Sequence, residues 1–153
     1  MTSARITYGL DNHTGAARAL LRSEWPLADL PSCVNEPQFW TMTCLGFSGL
    51  AGIAVVVNGF KLSQAADEPR PYHPVLEYLV VGQQVRGRHL GRQLASHVLE
   101  ETCMNAPEVI VEVEHERLGA VRFWTEHMQC TVLPASEQTA SKVLRLRWSP
   151  AGG

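Results

Sequence analysis

The chain has 153 residues, enough for one domain burying roughly 70% of its extended-chain surface without disulfide or metal staples. It is 45% hydrophobic and 18% charged, an ordinary globular composition, and a net charge of −2 gives no overall field toward nucleic acid or anionic lipid. Its longest apolar run, 50–57, is far short of the ~20 residues a membrane helix needs, and the N-terminus MTSARITYGL lacks a signal-peptide core, so a cytoplasmic location is expected.

In chain order, residues 4–8 form a candidate first strand. From Asn12 the pattern turns helical, with Ala16, Ala19, Leu20 and Ser23 marking a face up to Trp25-Pro26, where proline stops it. WTMTCL (40–45) and AGIAVVV (51–57), separated by GFSGL, read as a hairpin. Residues 58–74 carry three prolines and little periodicity, and a loop of this length is often functional. VLEYLVV (75–81) is a strand, and Leu90, Leu94 and Val98 mark one helix face. EVIVEVE (108–114) is a strand and 116–127 a helix, while CTVL (130–133) and SKVLRLRW (141–148) close the chain as paired strands. The order β-α-β-β-β-α-β-α-β-β predicts an α/β (α+β) fold, a mixed sheet with helices on its faces. Cys33, Cys44, Cys103 and Cys130 show neither a CxxC pair nor metal-ligand spacing, so reduced core thiols and no metal are expected.

The basic residues cluster. LVVGQQVRGRHLGR (79–92) is an apolar strand running through a glycine-punctuated basic loop into a helix. Such a junction aims backbone N–H groups and the positive helix end at one point, where an anion binds. Gly87 and Gly91 permit close approach, and Arg86, Arg88 and Arg92 add charge. The spacing is neither GxxxxGK[ST] nor GxGxxG with a following acid, which excludes a nucleotide P-loop and a Rossmann site. A solvated, arginine-capped helix start is the bland alternative.

The run Leu76-Glu77-Tyr78-Leu79-Val80-Val81 followed by Arg86-Gly87-Arg88-His89-Leu90-Gly91 resembles the pyrophosphate-binding motif of the GNAT superfamily of acyl-CoA-dependent N-acyltransferases. Val111-Glu112-Val113 followed by Ala120-Val121-Arg122-Phe123-Trp124 resembles the family's later strand-then-helix segment, and the likeness covers about residues 40–148. It implies one GNAT N-acetyltransferase domain over 1–153, with a mostly antiparallel twisted sheet whose central parallel strands, 75–81 and 108–114, splay apart. It further implies acetyl-CoA as cosubstrate. Leu79, Val80 and Val81 would pair with pantetheine. Arg86, Gly87, Arg88, His89, Leu90, Gly91 and Arg92 would hold the diphosphate, and Arg117, Phe123 and Trp124 would border the coenzyme.

Five positions depart from the family pattern. His89 stands at the second glycine, and Arg117 where many relatives have asparagine. Met128-Gln129 replaces Gly-Phe after the last helix, so the turn there must differ. Trp124 replaces a tyrosine that in many members protonates the departing thiolate, a role an indole cannot take. A thiol of pKa about 8–9 leaves without compulsory protonation, so the reaction is slowed rather than forbidden. By family analogy the Val81 N–H is the oxyanion donor. By the same resemblance Glu112 matches a catalytic glutamate of one branch and Glu77 a glutamate found near the acceptor in others, and either can accept the ammonium proton, or else face a polar surface or an arginine. Tyr72, His73 and His115 are weaker candidates, and Tyr78 must point opposite to Glu77. The resemblance thus implies acetyl transfer to a primary amine of a small molecule or peptide by direct attack in a ternary complex. The alternative is a catalytically weakened acyl-CoA-binding module. A homodimer through SKVLRLRW is a further family expectation.

Overall fold

The computed structural model describes residues 4–31, 37–60, 73–87, 89–138 and 142–150. Its elements are β1 (Ala4–Tyr8), α1 (Thr14–Glu24), β2 (Gln38–Cys44), β3 (Gly52–Phe60), β4 (His73–Val81), α2 (Leu90–Thr102), β5 (Val109–Glu114), α3 (Leu118–Arg122), β6 (Thr131–Val132) and β7 (Val143–Trp148), in the expected order. The strands form a seven-stranded mixed sheet in the order β1-β2-β3-β4-β5-β7-β6. The pairings β1/β2, β2/β3, β5/β7 and β6/β7 are antiparallel, and β4/β5 is parallel. The chain divides into two compact units, residues 1–57 with 77–98 and residues 58–76 with 99–153.

In the first unit, α1 ends at Glu24, and Trp25 is extended ahead of Pro26, as the clash with a following proline ring requires. The face it buries differs from the expected one. Ala17 and Leu21 are inside, whereas Ala16, Ala19 and Ser23 are exposed and Leu20 is half-buried. Small residues at several phases of the helix define no single apolar stripe, so packing chose it. The β2/β3 hairpin has the register Trp40↔Ala54 and Met42↔Gly52. Gly52 sits in close quarters there, since a Cβ would lie 2.9 Å from Met42 Cε and 3.1 Å from the Val80 carbonyl oxygen. Leu90, Leu94 and Val98 are buried on α2 as their spacing predicts. The Trp25 ring, just past α1, meets Tyr78, with centroids 5.2 Å apart. A Cβ at Gly91 in α2 would sit 3.7 Å from Val81 Cγ2. Residues 78 and 81 of one strand point to opposite faces, so the two helices cover both sides of β4.

In the second unit β5 is buried through Val109, Ile110 and Val111. It pairs with β4 at Val75↔Ile110 and Leu76↔Val111, and with β7 from Val109↔Trp148 to Glu114↔Val143. Strand β7 is therefore flanked by β5 on one side and β6 on the other. Where the two-residue β6 stops, Gln138 takes over as a neighbour of β7. Its Nε2 donates to the carbonyls of Leu133 and Arg145, and its Oε1 accepts the Arg145 N–H at 2.9 Å. A strand from a second copy would have to displace these partners.

Helix α3 widens at Phe123–His127, where the Met128 N–H donates to the Phe123 carbonyl five residues back at 3.0 Å. Gln129 then takes a left-handed conformation (φ 59°), and the Cys130 N–H closes on the Trp124 carbonyl at 2.9 Å. Gln129 carries its Cβ into this left-handed conformation at a cost of about 1–2 kcal/mol. Among the described residues Cys44, Cys103 and Cys130 are free, and Cys33 lies outside them. Burial pushes the Cys130 thiol up to about 12. Among the described residues no helix is long and apolar enough to cross a membrane, and no cluster of His, Cys, Asp and Glu is placed to hold a metal.

Candidate functional site

The first unit builds the strand–turn–helix junction. After β4 the chain makes a short turn over Gln83–Val85, pinned by the Gly82 N–H on the Ala51 carbonyl at 2.8 Å and by the buried Val85 side chain. Gly87 then enters the left-handed region at φ 85°, and His89 does so at φ 61°. His89 occupies a conformation that glycine adopts without penalty and that costs a residue with a Cβ about 1–2 kcal/mol. The substitution leaves the loop path glycine-like and pays in strain. The His89 carbonyl accepts the Gln93 N–H at 3.1 Å, so helical bonding starts there and the amides of Leu90, Gly91 and Arg92 precede it. A Cβ at Gly87 would meet nothing within 4 Å, and one at Gly91 would meet only Val81 Cγ2. The loop surface is open. Leu90 is buried and anchors the helix start, whereas His89 and Arg92 are exposed. Arg88 lies outside the described residues.

Arg86 is held inside the loop. Its Nε donates to the Val81 carbonyl at 3.0 Å, and its Nη2 pairs with Glu24 Oε1. Glu24 was not visible as a site residue in sequence. Its only signal is an acid at the C-terminal end of a helix, where the dipole disfavours it. Leu79 and Val81 are half-buried and Val80 is buried on β4. Glu77 is half-buried on the same strand. The phenol of Tyr78 is pushed above its ordinary value by burial and then by the Glu77 charge, so it keeps its proton through the neutral range.

The second unit holds the other candidates. Glu112 faces Arg145 across the strand pair, with Arg145 Nε 3.2 Å from Glu112 Oε2. The Arg145 side chain is 5% exposed and that of Glu112 27%. The ion pair ties Glu112 to a nearly enclosed guanidinium. Arg117, just before α3, is turned onto Glu114, with Nε 3.1 Å from Oε1. Trp124 is buried and meets the half-buried Phe123 ring edge-on, centroids 5.0 Å apart. His73 Nε2 lies 3.2 Å from Glu108, which also faces Arg147. His115 is exposed, and Tyr72 lies outside the described residues.

The profile of the Acetyltransferase (GNAT) family matches residues 15–128, and the chain belongs to that family. Its general chemistry is acetyl transfer dependent on acetyl-CoA. Solved structures share the fold. Arabidopsis thaliana NAA60 in complex with acetyl-CoA superposes with a TM-score of 0.73 at 12% identity, over 97% of this chain and 99% of that one. A Bacillus subtilis acetyltransferase in complex with CoA gives 0.68 at 13% identity, over 96% and 99%. A Pyrococcus horikoshii protein gives 0.57 at 15% identity, over 72% of this chain and 64% of that one. No curated protein sequence matches.

Proposed function

We propose that the chain as a whole is one GNAT domain acting as an acetyl-CoA-dependent N-acetyltransferase on a primary amine of a small molecule or peptide. One observation carries this reading: the open turn from Val81 to α2, with Gly87 and His89 both left-handed, which leads the amides of Leu90, Gly91 and Arg92 into a helix start. Those amides and the exposed Arg92 fit a diphosphate, and the main chain of Leu79, Val80 and Val81 fits the pantetheine amides. Two of the solved relatives carry CoA or acetyl-CoA in the same fold. The free thiols of Cys44, Cys103 and Cys130 suit a reducing, cytoplasmic compartment.

In this reading the amine nitrogen attacks the thioester carbonyl, the Val81 N–H stabilises the oxygen that gains charge, and the sulfur leaves as thiolate. Glu77 takes the ammonium proton. Glu112 is committed to Arg145 and serves β5 and β7 instead. Titration with coenzyme A, followed by thiol release against a panel of amines, tests the proposal. Glu77→Gln should lower turnover at neutral pH by about 10²-fold or more while coenzyme affinity stays within about twofold. Unchanged turnover removes Glu77 as base, and absence of coenzyme binding in the unaltered protein removes the transferase reading. The buried Trp124, which cannot supply an acid, favours a second reading as a weakened acyl-CoA-binding module. Binding with no amine-dependent thiol release would select it.

A further inference from the structure

We infer that Glu24 is a positioning residue for the coenzyme loop, acting through Arg86, and that the Arg86 side chain organises the loop rather than gripping phosphate. The inference rests on the coenzyme-binding reading above. The Arg86 guanidinium spans two elements. Nε returns to the carbonyl of Val81, the last residue of β4, closing the Gln83–Val85 turn on itself, and Nη2 reaches Glu24 at the end of α1. A planar guanidinium with donors in a fixed fork sets direction as well as distance. The chain therefore leaves Arg86 on one fixed course toward Gly87 and His89, whose left-handed conformations need such support.

Two features separate this pair from an ordinary surface contact. A carboxylate at the end of α1 opposes the helix dipole, so local helix energetics alone would not select it. The side chains are 46% and 20% exposed, so the pair adds little to global stability, and its effect is on loop geometry. The two possible roles of Arg86 predict opposite signs. If Arg86 were a phosphate ligand held in reserve, removing the Glu24 charge would release it and tighten coenzyme A binding. If Glu24 positions the loop, the same change loosens binding.

Calorimetric titration of the full chain with coenzyme A, and with pantetheine, which lacks the diphosphate, decides between them. Glu24→Gln should weaken coenzyme A by about tenfold, the loss of one charge-assisted contact. Pantetheine affinity should stay within about twofold and the thermal midpoint should not move. Glu24→Asp, which keeps the charge on a shorter arm, should fall between, and stands in if Glu24→Gln does not fold. Unchanged or tighter coenzyme A binding, or an equal loss for both ligands, overturns the inference. An unaltered protein that binds no coenzyme A overturns the functional reading itself.

Discussion

The two units each hold an arginine–glutamate pair tied to a candidate site, and the pairs differ in burial. Arg86–Glu24 lies at the surface, between a loop and a helix end. Arg145–Glu112 lies between two strands, with the arginine almost wholly enclosed. The same two side chains thus do different work. An exposed pair is screened by water and contributes direction. A buried arginine depends more heavily on a nearby carboxylate, so there the pair contributes to stability. In the proposed mechanism this contrast is the reason that Glu77 rather than Glu112 takes the proton.

The largest expected effect tests that contrast directly. Glu112→Ala should destabilise the protein by about 2–3 kcal/mol, below the full cost of breaking a buried pair because Glu112 is partly exposed. Glu24→Ala should cost under about 1 kcal/mol. Urea unfolding of both variants measures the difference, and equal losses would abolish the distinction.

A second test concerns alkaline pH. The Cys130 thiol is raised by burial from 9.0 to about 12. The folded state therefore holds its proton where the unfolded chain releases it. Stability should be unaffected by this group below pH about 9 and should decline as pH climbs toward 12. Cys130→Ala should flatten that decline, and an identical alkaline slope in the variant would refute the assignment.

The smallest effects separate two strained residues. His89→Gly and Gln129→Gly should each relieve a left-handed side-chain-bearing residue and stabilise by about 1 kcal/mol, less the entropy glycine loses on folding. Only His89→Gly should change coenzyme A affinity. A change of affinity in Gln129→Gly, with none in His89→Gly, would reverse the roles given to the two turns.

Much of this protein was legible in its residues. Element order follows from local signals: the proline after Trp25, the glycines of the hairpin, the i, i+4, i+8 spacing of Leu90, Leu94 and Val98. The loop proposed to hold the coenzyme follows too, because its shape is backbone chemistry and the residues that permit it are adjacent in sequence. The α1 face was not legible, since alanines at several phases leave the choice to packing. The Arg86–Glu24 and Arg145–Glu112 pairs join residues far apart in the chain, and only folding brings them together. The sequence by itself determined the order of strands, turns and helices and that a glycine-punctuated turn precedes α2. Tertiary structure alone decided which arginine meets which glutamate and how deeply each pair is buried, because the surroundings of a charge are set by neighbours that local sequence does not specify.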